Sequence, residues 1–462
     1  MKIGLFSGEQ MPLAVYDAVS GRAAGSIQFR PLRAGQFVVG DNVYFSNDPD
    51  GDVSWLEERS GRISEYYVIN FQYAGSFLKS LRDYPTTSEA LLAKRCLKHD
   101  VDFFYCLHGS KLINCDHINY WSDSDKFSSE KHRSCASYLS DNFGIAFFSG
   151  AMALMPDVVR NRRGEFIADP LPMLRYSGAG GAGACYDHFE NRVLYRSMRS
   201  THISGVVLLL SKMNYGHWFA QNLPQIFALK ELVEAGVLDA NNVCVAINGQ
   251  SSHPLLRKYL KAINFDLKVI DPSAEGYGAI TADKIALGST CQATPPFYWP
   301  EYIGRSLQPF RSSFNKRGAD KVIFISRGDV DNKRGLLNED ALVKALGHAG
   351  IELEVVQGAK LTVEEQQNVF SQAKLVIGPH GSGLNNAFFA HQDCGVLEII
   401  SEAVEANRNW FQNMFTAAGQ PYMAVNVGCD AGADWNSPFS VNIDAVVSMA
   451  LRFLEPCDHT SV

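Results

Sequence analysis

VIGPHGSGLNNAFF, residues 376–389, is the stretch on which the architecture turns. An apolar run stops at a turn holding Gly378, Gly381 and Gly383, and apolar residues then return at helical spacing. A buried parallel strand passing through a glycine turn into a helix is the repeating step of an α/β sheet. The glycines let a ligand approach the main chain, and the N–H groups of the following helix face outward. With His380 and Ser382 as further donors, this turn reads as an anion cradle suited to phosphate or diphosphate. The plainer reading, a tight strand-to-helix turn without a ligand, fits the local pattern about equally well.

The same alternation extends in both directions. Upstream lie KVIFISR (321–327), a helix from Asn338, ELEVV (352–356) and a helix from Thr362. Downstream lie GVLEII (395–400), a helix near 405–418, PYMAVNV (421–427) and a closing helix at 443–455. Asn338 reads as an N-cap followed by Glu339 and Asp340 in the first turn, and Thr362 with Glu365 as a capping box. An earlier series precedes it: SGVVLLL (204–210), a helix over 217–236 ending at Gly236, VCVAI (243–247), PLLRKYLKAIN (254–264), FDLKVID (265–271) and KIALGS (284–289). Between the two series, TCQATPPFYWPEYIG (290–304) carries three prolines and reads as a linker. The prediction is an α/β protein with two Rossmann-like domains facing across a cleft, where ligands of open sheets bind. Their spans are 201–300 and 301–440, with a C-terminal helix over 441–462. Residues 1–200 mix short alternating stretches with aromatic-rich segments and read as an additional α+β region.

Three further features carry chemistry. Arg327 directly follows an apolar strand, and Lys333 and Arg334 stand in the loop leading to the next helix; these cations suit a diphosphate, although Asp329 and Asp331 also fit a solvated loop. In MNYGHWFAQNLPQIF (213–227), His217 and Trp218 open a helix. An imidazole there suits general-base work, against the commoner role of a packed or capping histidine. Asn222 is placed to hold a sugar hydroxyl, and Pro224 to kink the helix. Glu398, near the end of a strand, is placed to accept from two ribose hydroxyls, or is a surface carboxylate. Gly178, Gly180 and Gly183 spell GxGxxG with no apolar strand before them and read as a loop. Cys106, His108, Cys115 and His117 match no zinc spacing.

Composition narrows the classes. The 462 residues are 46% apolar and 20% charged, with 42 Lys+Arg against 49 Asp+Glu for a net charge of −7. That balance excludes a disordered chain and a nucleic-acid binder working by global charge. No apolar stretch is long enough for a membrane span, and Glu9 and Asp17 interrupt any signal-peptide core. The ten cysteines are scattered without a CxxC pair and the chain has no Asn-x-Ser/Thr acceptor. A cytoplasmic location is the expectation.

Taken together, the NYGHWFAQNLP block, the span from Arg327 through Lys333 and Arg334 to Asp340, and the EEQ to VLEI block from Glu364 to Ile399 resemble glycosyltransferase family 61. The resemblance covers roughly residues 205–427. It implies a GT-B fold, inverting transfer from a nucleotide-sugar to a saccharide or lipid-linked acceptor hydroxyl, no cofactor and no obligatory metal. By position, His217 is the candidate base, with Trp218 and Asn222 on the acceptor side. Arg327, Lys333 and Arg334 hold the diphosphate; His380, Gly381, Ser382 and Gly383 form its cradle. Asn385 or Asn386 and Glu398 contact the nucleoside or sugar. In a GT-B protein the closing helix crosses back onto the first domain. Gly216 stands where the family often has an aromatic residue, and Ser382 where alanine is usual. Eukaryotic members are membrane-anchored, whereas no anchor is expected from this sequence. A bacterial member serving capsule, lipopolysaccharide or exopolysaccharide assembly fits better, compatible with peripheral membrane association. Residues 1–200 hold an acceptor-binding module or a separate activity. An epimerase or hydrolase acting on the nucleotide-sugar, and an inactive scaffold of the same fold, are the alternatives.

Overall fold

The computed structural model describes residues 36–39, 42–45, 67–68, 101–108, 112–114, 119–122, 137–139, 143–154, 158–163, 199–210, 215–247, 254–289, 300–311, 320–328, 334–403, 410–430, 432–434 and 436–455. The glycine run at 178–183, Cys115, His117, Lys333 and most of the proline-rich linker lie outside them. The chain divides into two compact units. The first comprises Met1–Lys111, Asp141–Asn214 and Ala220–Gln292; the second comprises Leu112–Ser140, Tyr215–Phe219 and Ala293–Val462.

The first unit is built on a mixed sheet. Its strands are β1 (Tyr67–Val68), β2 (Phe103–His108), β3 (Phe143–Phe148), β4 (Met152–Leu154), β5 (Val158–Arg160), β6 (Ser200–Leu210), β7 (Val243–Ile247), β8 (Lys268–Ile270) and β9 (Ala279–Gly288). The order is β8-β7-β6-β9-β3-β2-β1, with β4 pairing β9 and β5 pairing β4. The four strands β8, β7, β6 and β9 run parallel, as the alternating pattern after residue 200 predicts. From β9 outward the pairing turns antiparallel, so strands from residues 67–160 extend the same sheet. The physical reason is visible in β3: all six residues of FGIAFF are buried, a two-sided apolar strand that has to lie inside a sheet. Helices α1 (Leu223–Glu234) and α2 (Pro254–Ala262) belong to the same unit, as does a separate antiparallel pair, Gln36–Val39 with Asn42–Phe45. Gly236, at φ 69°, takes the left-handed conformation just past the end of α1.

The second unit holds a six-stranded, wholly parallel sheet: β10 (Lys321–Ile325), β11 (Leu353–Val356), β12 (Ala373–Pro379), β13 (Gly395–Ser401), β14 (Tyr422–Val427) and an edge strand Asn119–Ser122. The order is β11-β10-β12-β13-β14, with Asn119–Ser122 outside β14. Its helices are α3 (Tyr302–Arg311), α4 (Glu339–His348), α5 (Val363–Phe370), α6 (Trp410–Ala417) and α7 (Ile443–Leu454). Chain order reverses between β10 and β12, because β11 lies on one side of β10 and every later strand on the other. That is the topological switch point of a doubly wound sheet, where a crevice opens beyond the carboxyl ends of the strands.

Local signals are met unevenly. The capping box at Thr362 and Glu365 forms in both directions. Asn338 does not cap α4 with its side chain. Its amide instead donates to the Val441 carbonyl at 2.8 Å and accepts from the Val441 N–H at 3.0 Å, joining two segments far apart in the chain. The closing helix α7, for which the resemblance implied a crossing to the first domain, packs on the second unit's own sheet. Val446, Met449 and Ala450 share one core with Leu342, Leu346, Ile399 and Val425. Among the described residues no helix is long and apolar enough to cross a membrane.

Candidate functional site

The two basic and glycine motifs stand at the carboxyl ends of β10 and β12, on either side of the switch point. Arg327 follows β10 by two residues, and the turn 380–383 follows β12 directly. Their proximity is direct: the Arg327 Nη1 donates to the His380 carbonyl at 3.5 Å. Gly381 is required by that approach, since a Cβ there would stand 2.0 Å from Nη1. A Cβ on Gly383 would press on the Ile325 side chain at 3.1 Å. Packing against β10 and Arg327 therefore accounts for both glycines. Gly381 is extended at φ 165°, so no left-handed backbone is involved.

Arg334 is the second cation here. Burial first, and the neighbouring Arg327 charge second, push its guanidinium down to about 10. Two guanidinium groups close enough to disfavour each other's charge, beside a turn at a sheet switch point, form a site that an anion would stabilise.

After the turn the chain forms a 3₁₀ helix over Ser382–Phe389 in place of an α-helix. Its two asparagines are placed differently. Asn386 is spent within the protein: Oδ1 lies 2.6 Å from the Tyr215 hydroxyl and Nδ2 donates to Gln366 Oε1 at 2.8 Å. Asn385 donates Nδ2 to the Ser382 carbonyl at 3.1 Å, while its buried Oδ1 has no hydrogen-bond partner among the described residues. An unsatisfied buried acceptor costs about 1–3 kcal/mol, so Asn385 is the one of the pair that a ligand donor would relieve.

Glu398 is not placed as a ribose acceptor. It is 0% exposed; Oε1 pairs with His380 Nδ1 and Oε2 accepts from the Tyr422 hydroxyl. Its position inside β13, flanked by two other strands, encloses it; one oxygen holds the His380 ring and the other is held by Tyr422. Burial and the Glu398 charge hold the Tyr422 hydroxyl well above its ordinary pKa, so it remains a donor. The His380 ring also meets Phe411 edge-on, with centroids 5.1 Å apart.

His217 sits in a three-residue helix, Tyr215–His217, followed by a π-helix over Trp218–Asn222. Pro224, which has no N–H to give the ladder, stands at the start of α1 and accounts for the irregular turn before it. The resemblance put His217 on the acceptor-side domain, whereas Tyr215–Phe219 groups with the second unit. The imidazole is buried and meets Trp410 edge-on, centroids 4.8 Å apart. Trp218 and Asn222, expected to face an acceptor, are both 0% exposed and thus belong to the interior. Tyr215 and Gln366, given no role in the motif reading, form the hydrogen bonds that dock this segment; the pointer to each was its place inside a quoted block, NYGHW and EEQ.

Residues 215–397 match the family model of glycosyltransferase 61. The matched span is somewhat under half of the chain. It takes in Tyr215, His217, Arg327, Arg334 and the whole 380–389 turn and helix, and stops one residue before Glu398. The glycosyltransferase 61 match supports a sugar-transferring enzyme, with a sugar donor and an acceptor as its substrates. No curated protein matches the chain.

Proposed function

We propose that the protein is an inverting glycosyltransferase that moves a sugar from a nucleotide-sugar to a saccharide or lipid-linked acceptor hydroxyl. The Arg327 guanidinium on the 380–383 turn at the switch point, with the Arg334 charge felt beside it, carries this reading. In one displacement the acceptor oxygen bonds to the anomeric carbon as the bond to the diphosphate oxygen breaks, and the electron pair leaves with the diphosphate. The acceptor proton passes to a base, for which His217 is the candidate. Arg327 and Arg334, with Lys333, stabilise the departing charge, and no metal is required for that step. Asn385 accepts a hydrogen bond from the donor. A bacterial enzyme of capsule, lipopolysaccharide or exopolysaccharide assembly, acting at the cytoplasmic side, is the setting that fits this chemistry.

A thermal-shift screen against UDP-, GDP-, CMP- and dTDP-sugars, with and without EDTA, tests the donor half. A ligand at about 100 times its Kd adds roughly 2.7 kcal/mol to the native state. One nucleotide class raising the midpoint, unaffected by EDTA, is the expected result. Product analysis with that donor alone and with candidate acceptors then decides the reaction. Conversion without an acceptor identifies an epimerase or hydrolase, and binding without turnover a scaffold.

A further inference from the structure

The segment carrying His217 is held by the second unit on both sides of the imidazole. On one side the Tyr215 hydroxyl lies 2.6 Å from Asn386 Oδ1 and 2.9 Å from Gln366 Oε1. The amide orientations around it are dictated stepwise. Gln366 Nε2 donates to the carbonyls of Gly358 and Leu361, each at 3.0 Å, so its Oε1 faces the asparagine and the tyrosine. That oxygen receives Asn386 Nδ2 at 2.8 Å, which turns Asn386 Oδ1 toward the phenol. Gly216 then lies flat on the turn: a Cβ there would stand 2.9 Å from Asn385 Nδ2 and 3.0 Å from Ser382 Oγ. On the other side Phe219 packs edge-on against Phe389 and stacks on Phe388, with centroids 5.3 and 6.1 Å away.

Tyr215–His217 is the first turn of a helical run that continues through the π-helix Trp218–Asn222 into α1, and a first turn has no intrahelical acceptors for its N–H groups. Contacts from outside the run therefore help to set the place of His217. The apolar anchor at Phe219 is non-directional, whereas the hydrogen bonds at Tyr215 define a direction and a distance.

We propose that Tyr215 is a positioning residue for His217, its single hydroxyl proton directed between Asn386 Oδ1 and Gln366 Oε1 and so fixing where the imidazole stands. The catalytic consequence rests on the reading of His217 as the base; the placement itself does not.

Tyr215→Phe tests this, because it keeps the ring that packs edge-on against Phe219 at 5.4 Å and removes only the hydroxyl. The first readout is carbethoxylation of His217 by diethylpyrocarbonate, followed by peptide mass spectrometry. Loosening of the segment is expected to raise that rate by about tenfold or more, with His202 and His391 reacting as in the wild type. The second readout is turnover, with kcat falling by up to about 10²-fold while the donor KM stays within about twofold. Gln366→Leu, which removes the group that orients Asn386, is expected to give the same selective acceleration. Unchanged His217 labelling in both variants overturns the proposal, as does equal acceleration at all three histidines, which would be general loosening. Selective acceleration in the variants, with a wild-type protein that transfers no sugar, would leave the placement standing and remove the transferase reading instead.

Discussion

Tyr422 donates its hydroxyl to Glu398 within the parallel sheet, and the carboxylate it serves is wholly enclosed. Burial and the Glu398 charge raise the Tyr422 pKa, and burial raises that of Tyr215. A tyrosine whose pKa is higher folded than unfolded contributes stability that is complete below the unfolded value, near 10.0, and is lost as pH rises above it. Each should steepen alkaline destabilisation by about 1.4 kcal/mol per pH unit. Urea unfolding between pH 8 and 11.5 should show a shallower decline in Tyr422→Phe and in Tyr215→Phe than in the wild type. Identical slopes would mean that neither hydroxyl is held protonated.

Arg327 and Gly381 offer a paired test. Arg327→Ala should lower turnover by about 10²–10³ with the fold retained, the scale of losing one charge-stabilising donor. Gly381→Ala, whose Cβ would occupy the place of Nη1, should displace the guanidinium and reproduce most of that loss with Arg327 present. Near-normal turnover in either purified variant would take the Arg327 guanidinium out of the reaction.

Replacing His217 by alanine should abolish most turnover while donor binding, followed by thermal shift, stays close to wild type. Removal of a general base costs typically 10²–10⁴ in rate. Loss of donor binding along with turnover would assign His217 to holding the ligand.

The neighbouring asparagines should part company. Asn386→Ala removes two buried hydrogen bonds, to the Tyr215 hydroxyl and to Gln366 Oε1, and at about 0.5–1.5 kcal/mol each is expected to cost about 1–3 kcal/mol in unfolding free energy. Asn385→Ala, which gives up one bond to Ser382 and one unsatisfied oxygen, should cost much less in the free protein yet weaken donor binding by about tenfold. Equal stability losses would overturn the division of roles.

Pairs close in the chain were legible. Thr362 and Glu365 are three residues apart and satisfy each other's backbone, so their pattern carries its own geometry. Arg327 and the 380–383 turn were legible too, because each follows an apolar strand and parallel strands end on a common side. Asn338 shows where such reading stops. It has the residue type and place of an N-cap, yet its amide is taken by Val441, a partner that local spacing cannot reveal.

From the sequence alone came the α/β alternation, the glycine turn that follows an apolar strand and the place of Arg327 after another, since periodicity, glycines and charge act over a few residues. Tertiary structure decided the rest. It took Asn119–Ser122 to close the second sheet beside β14 and drew strands before residue 160 into the first sheet. It also paired Glu398 with His380 and Tyr422, and seated Tyr215–Phe219 in the second unit. Each of these joins groups remote in sequence, and whether a buried polar atom meets a ligand or a neighbour depends on which of them the folded chain brings within hydrogen-bond reach.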